Sequence, residues 1–178
     1  YAEHFGKEGA FITKATAQLM RDFGCVQSPI NAYMLNLGLE SLHVRMARHC
    51  ENGQAVAEFL ASHPKIAYVN YCGLPGDKYH AVAEKYLPNG SCGVVSFGVK
   101  GGREAAAAFM GHLKIAAIET HVADARTCCL HPASSTHRQM NDEQLIAAGV
   151  QPDLVRMSCG LEDKNDLIHD IAQALDQI

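Results

Sequence analysis

The chain has 178 residues, 48% of them hydrophobic, which is enough for one compact domain with its own core. A net charge of -4, with the 15 Lys and Arg scattered rather than clustered, offers no basic field to a phosphate backbone, so nucleic-acid binding is not expected. Charged residues or His interrupt every apolar run well before the roughly 20 residues a membrane span needs, and a soluble, cytoplasmic protein is expected.

The chain opens on Tyr1, with no charged segment and apolar stretch of a leader behind it, which fits a start inside a longer reading frame. Gly6 and Gly9 suggest an irregular lead. A helical run follows, with Phe11, Ala15, Leu19 and Phe23 at about one-turn spacing, and Gly24 stops it. Ser28 before Pro29 is a helix start signal: the hydroxyl accepts from free backbone N–H groups and Pro supplies the right φ. Ile30, Tyr33, Met34 and Leu37 form one apolar stripe, and Leu39, Leu42, Met46, Cys50, Val56 and Leu60 continue it past a bend or break at Gly38. His43, Arg45, Arg48, Glu51 and Gln54 fall on the opposite face.

Residues 66–71 read as a strand. After the breakers Gly73, Pro75 and Gly76 a helix runs through Tyr79, Val82 and Tyr86. Gly93, Val95, Phe97 and Val99 alternate with Cys92, Val94, Ser96 and Gly98 in strand periodicity. Gly101-Gly102 then turns the chain into an Ala-rich helix over about 103–111. Residues 115–120 read as a third strand and 154–159 as a fourth. Asp163 caps a last helix with Leu167, Ile168, Ile171 and Leu175 on its buried face. These elements predict an α+β fold: one four-stranded, largely antiparallel sheet covered on one face by helices. The pattern begins at Ser28, which places a boundary near residue 27.

The seven cysteines form no regular framework and read as reduced thiols. None has C-x-x-C spacing, and Cys128 and Cys129 would point to opposite faces of a strand, so no metal site is expected.

Two segments carry candidate chemistry. In residues 154–159, alternation puts Val155, Met157 and Cys159 on one face and Arg156 and Ser158 on the other. A half-desolvated guanidinium on a strand needs a carboxylate: either a ligand's, held bidentately, or an internal one such as Asp153 or Glu162. The second segment, 131–140, is a loop rich in hydroxyls and imidazoles. It is either a solvated connector or a pocket lining in which Ser134, Ser135 or Thr136 donates to an anion. His121 sits at the end of the third strand, where pockets form. His43, His49, His63, His80 and His169 read as structural, and no nucleophile elbow, P-loop or dinucleotide fingerprint occurs.

Gln27-Ser28-Pro29-Ile30-Asn31-Ala32, Gly38-Leu39-Glu40-Ser41-Leu42, Arg45-Met46-Ala47-Arg48-His49-Cys50-Glu51-Asn52, residues 131–137 and Val155-Arg156-Met157-Ser158-Cys159-Gly160-Leu161-Glu162-Asp163 together resemble the Cys/Met-metabolism enzymes that use pyridoxal phosphate (PLP). The resemblance spans essentially the whole chain in the same order. Within the group, Val69-Asn70-Tyr71, Lys85-Tyr86-Leu87-Pro88, Lys100-Gly101-Gly102 and Asp124-Ala125-Arg126-Thr127 resemble the O-acetylhomoserine sulfhydrylase branch best.

The resemblance implies the C-terminal small domain of a fold-type I PLP transferase over residues 28–178, with residues 1–27 a remnant of the larger cofactor domain. Detached from that domain, the Phe11, Leu19 and Phe23 stripe would be exposed, mobile or buried against another copy. It also implies that Arg156 grips a substrate α-carboxylate, that Thr136 lies near cofactor and substrate, and that His121 stands where relatives make a backbone contact to that carboxylate. The family's Schiff-base lysine, phosphate loop, stacking tyrosine and pyridinium aspartate have no counterpart here. Lys14 echoes the lysine motif only superficially. The implied whole protein is a homotetramer acting on a small amino acid, while this chain holds no catalytic or cofactor-binding residue. A cystathionine or methionine γ-lyase of the same family, or a non-catalytic interaction module that has kept the fold, are the alternatives.

Overall fold

The computed structural model describes residues 1–178 and divides the chain into two compact units, Tyr1–Leu42 and His43–Ile178. The first unit is helical: α1 (Ala2–Lys14), a π-helical stretch (Ala15–Met20), a last turn α2 (Arg21–Phe23) and α3 (Pro29–Glu40). Gly24, at φ 67, ends α2 in the left-handed conformation that a side chain disfavours. Ser28 caps α3 as expected, its Oγ accepting from the Asn31 N–H at 3.3 Å. The helix runs through Gly38 and breaks three residues later, at Ser41. No residue of α1, α2 or α3 is buried, and Phe11 (81%) and Phe23 (76%) are among the most exposed apolar side chains of the protein.

The second unit contains α4 (Leu42–Ser62, its first residue belonging to the first unit), β1 (Ile66–Asn70), α5 (His80–Tyr86), β2 (Val94–Val99), α6 (Gly102–His112), β3 (Ala117–Ile118), β4 (Cys128–Leu130), a 3-10 turn (Pro132–Ser134), α7 (Asp142–Ala147), β5 (Leu154–Ser158) and α8 (Lys164–Asp176). The sheet has five strands in the order β1-β2-β5-β4-β3 and is mixed rather than four-stranded and antiparallel, because β3 and β4 pair in parallel. The strand missing from the sequence reading is β4. At three residues, Cys128, Cys129 and Leu130, it is too short to display an alternation, and all three are buried.

Alternation sorts the two sheet faces. Val95, Phe97, Val99, Val155, Met157, Cys159 and Cys129 join one core with Val56 and Leu60 of α4, Phe109 of α6 and Leu167, Ile171 and Leu175 of α8. Phe97 meets Phe109 edge-on, with ring centroids 5.8 Å apart at 82°. In β1 the register slips between Ile66 and Tyr68. The extra residue changes the parity, so that Ile66 and then Val69 and Tyr71 face the core. Tyr68, Asn70, Ser96, Arg156 and Ser158 occupy the opposite face.

The buried face of α4 is His49, Asn52, Gly53, Val56, Ala57 and Leu60, a regular i, i+3, i+4, i+7 pattern. Its first half is polar or small. A stripe drawn from apolar residues alone therefore chose Met46 and Cys50, and His49 is a core residue rather than one of a polar boundary.

Candidate carboxylate site on the open sheet face

Arg156 sits mid-strand on β5, paired with Ser96 of β2 on one side and Leu130 of β4 on the other. Its Nη2 donates to the Thr120 carbonyl at 2.8 Å and to the His121 carbonyl at 3.5 Å. Nε is buried and has no partner. The two acids that would have quenched it are engaged elsewhere. Asp153 Oδ1 accepts from the Tyr68 hydroxyl at 3.2 Å, and the Glu162 carboxylate accepts from both the backbone N–H (2.6 Å) and the hydroxyl (2.8 Å) of Thr127. The guanidinium is thus held by backbone oxygens while keeping N–H donors free. A buried unpaired N–H costs about 1–3 kcal/mol, more when charged, so the arrangement favours an anionic ligand.

The end of β5 is clamped from three directions. Asn52 Nδ2 donates to the carbonyls of Gly160 (2.9 Å) and Glu162 (2.8 Å), and His49 Nδ1 lies 2.6 Å from the Cys159 carbonyl. Thr127 Oγ1 accepts from the Gly160 N–H at 2.8 Å. A Cβ at Gly160 would fall 2.5 Å from the Ala125 oxygen and from the Thr127 nitrogen, so only glycine lets the 125–127 loop lie against the strand end. On the outward face, Ser158 Oγ accepts from the Ala123 N–H at 2.9 Å, next to the carbonyls that hold Arg156. Ala123 adopts φ 60, a conformation rare outside glycine.

The other two expected contacts are more open. His121 follows β3 and is exposed; its Nδ1 lies 3.0 Å from Glu119 Oε2 and 3.4 Å from Asp124 Oδ2, and its carbonyl takes part in holding Arg156. In the 131–140 loop, Ser134 and Ser135 are exposed, with their hydroxyls bonded to His131. His131 is buried, and its Nε2 lies 2.8 Å from the Pro152 carbonyl, tying this loop to the residues before β5. Thr136 is also exposed, paired with His137 Nδ1 at 2.9 Å and making no hydrogen bond with Arg156 or His121. His121 therefore meets Arg156 through backbone, and Thr136 is placed on a separate loop.

Sequence reading passed over Asn52, Thr127 and Gly160 as members of this site and named Glu162 only as a possible internal partner of Arg156. Nothing in their spacing marks them. The helix α7 was also missed, although Asn141 and Gln144 form a capping box that was readable as N-x-x-Q.

The description "Cys/Met metabolism PLP-dependent enzyme" matches residues 6–176. The chain belongs to that family. It is 45% identical over 170 residues to an O-acetyl-L-homoserine sulfhydrylase of Leptospira meyeri, covering 95% of this chain and 38% of that protein. It is 43% identical over 173 residues to O-acetyl-L-homoserine sulfhydrylase 1 of Thermus thermophilus (97% and 41%) and 42% identical over 176 residues to the homocysteine synthase of Schizosaccharomyces pombe (99% and 41%). The crystal structure of a putative O-acetylhomoserine (thiol)-lyase from Campylobacter jejuni superposes with a TM-score of 0.85 at 37% identity, covering 94% of this chain and 40% of that one. That protein carries a pyridoxyl-lysine phosphate. The chain thus spans about two-fifths of the length of these relatives.

The residues present do not fit the cofactor on their own. Lys65 is spent on the Leu175 and Ile178 carbonyls, Lys100 on the Pro64 carbonyl and Lys164 on Glu51, and Lys14 is exposed on α1. No lysine amine hydrogen-bonds to Arg156, Thr136 or His121. What this chain offers is a guanidinium with an unpaired buried N–H on the open sheet face. No helix of it is long and apolar enough to cross a membrane.

Proposed function

We propose that the chain is the substrate-carboxylate-binding small domain of a PLP-dependent transferase that makes L-homocysteine from O-acetyl-L-homoserine and sulfide by γ-replacement. The observation that carries this reading is the Arg156 guanidinium, tethered by the carbonyls of Thr120 and His121 with its buried Nε–H unpaired. A planar fork with fixed direction orients an amino acid by its carboxylate, which is how a domain without the reacting groups contributes to rate. PLP, when bound, supplies the electron sink. His121 contributes through its backbone and Thr136 through its hydroxyl. Residues 28–178 form the small domain in this reading, and residues 1–27 belong to the cofactor domain. The whole protein is cytoplasmic and tetrameric. The similarity to three sulfhydrylases or homocysteine synthases supports this branch over the γ-lyases.

The test is Arg156→Ala in the intact protein, assayed for homocysteine from O-acetylhomoserine and sulfide. Loss of two charge-assisted hydrogen bonds, at about 1.5–3 kcal/mol each, lowers kcat/KM about 100-fold or more. Unchanged turnover would remove Arg156 from the site, and 2-oxobutanoate formed in place of homocysteine would move the protein to the lyases. The 178-residue chain alone is inactive and develops no lysine-dependent absorbance band with PLP. Such a band would overturn that part of the reading.

A further inference from the structure

The turn that holds Arg156 also brings together three side chains that the substrate reading does not use. Glu119, His121 and Cys128 each present one ligand atom, and the three atoms lie within 4.8 Å of one another. His121 Nδ1 is 3.0 Å from Glu119 Oε2, and Cys128 Sγ is 3.9 Å from the same oxygen. Donors bound at about 2.0–2.3 Å to one tetrahedral ion stand roughly 3.3–3.8 Å apart, so closing around an ion draws the widest pair of this cluster together by about 1 Å, within reach of a side-chain rotation at the exposed His121. The elements fix this spacing. Ile118 of β3 pairs with Cys129 of β4, which sets Glu119, just past one strand, beside Cys128 in the other. The two-residue step from Glu119 to His121 is then closed by the turn that Arg156 and Ser158 hold.

From this geometry we infer that Glu119, His121 and Cys128 form a binding site for a divalent transition-metal ion of the zinc class. A thiolate, an imidazole and a carboxylate are a borderline donor set that suits Zn2+ and Co2+ and disfavours Mg2+ and Ca2+, which take oxygen cages. Two further groups complete the surroundings. Arg126 Nη2 grips the other carboxylate oxygen of Glu119 at 3.0 Å, orienting it from outside, and Asp124 Oδ2, 3.4 Å from His121 Nδ1, adds negative charge. Cys128 sits at the start of β4 and is buried, so its sulfur is held in place by the sheet, and a bound cation takes it as the thiolate. Three protein ligands leave a fourth position for solvent or a small ligand. Cysteine spacing hid this site: no second cysteine belongs to it, and its imidazole and carboxylate come from the far side of a parallel strand pair. The inference is independent of which substrate Arg156 receives.

The test titrates the full 178-residue chain with Co2+ and Zn2+ under reducing conditions. Cobalt is expected to bind one per chain, with a thiolate-to-cobalt charge-transfer band that Zn2+ abolishes and with release of a proton. Cys128→Ser removes the band. His121→Asn, at an exposed position that does not threaten folding, weakens binding at least about tenfold. Cys25→Ser, at an exposed cysteine outside the cluster, leaves both unchanged. Absence of a thiolate band in the unmodified chain, or its persistence in Cys128→Ser together with undiminished binding by His121→Asn, would overturn the assignment.

Discussion

The same five strands present two faces of opposite character. Beneath α4, α6 and α8 lies an apolar layer of Val95, Phe97, Val155 and Met157, all fully buried and free of polar groups. The reverse face, one residue out of step, carries Ser96, Arg156 and Ser158, whose side chains make hydrogen bonds to turns and neighbouring strands. The first face is closed by packing, whereas the second leaves the buried Nε–H of Arg156 without a partner. A residue's role in this protein thus follows from strand parity more than from residue type.

Parity makes the largest effects separable. Phe97→Ala deletes a fully buried ring from the covered face and its edge contact with Phe109, and is expected to destabilise the chain by about 3–5 kcal/mol in urea unfolding. Arg156→Ala, on the adjacent strand but on the open face, should move the same transition by no more than about 1 kcal/mol, because its deletion also removes an unpaired buried N–H. Equal destabilisation by the two variants would erase the distinction between the faces.

A smaller effect sharpens the boundary between them. Thr127 is fully buried and serves both sides: its hydroxyl donates to Glu162 and accepts from Gly160 at the end of β5. Thr127→Val keeps the shape and deletes both bonds, leaving a carboxylate and a backbone N–H short of a partner. We expect a loss of about 1–3 kcal/mol on unfolding, intermediate between Phe97→Ala and Arg156→Ala. A neutral result would show that the strand end is held by Asn52 and His49 alone.

Period-two and period-3.6 patterns made β2, β5, α6 and α8 legible, because each buries a full alternating or helical face. Arg156 was legible for the same reason, as a charge on the wrong parity for the core. β3 was read, over the longer span 115–120, but β4 and its parallel pairing with β3 escaped because a three-residue strand contains no period to read. The polar half of the α4 core face escaped because His49 and Asn52 are buried by bonds to Cys159, Gly160 and Glu162, partners more than 100 residues away. Long-range satisfaction of this kind leaves no local trace. The motif residues that carried the family resemblance, 45–52 and 155–163, prove to be the two sides of that one clamp.

A pH-dependent effect concerns Cys159 on the covered face, where burial pushes the thiol up to about 12, with the Glu162 and Cys92 charges adding to the rise. An unfolded chain releases the same proton near pH 8.5. Below that value both states hold it, and the stability associated with the shift is fully present. As pH rises above 8.5 the unfolded state gains by ionising, and the folded state loses about 1.4 kcal/mol per pH unit until its own thiol titrates. Unfolding midpoints measured between pH 8 and 10 should therefore fall less steeply in Cys159→Ala than in the unmodified chain, even though the variant starts lower through its lost packing. Parallel slopes would mean that Cys159 ionises as readily in the fold as out of it, and that the layer under the helices is wetter than the complete burial of Val95, Phe97 and Met157 implies.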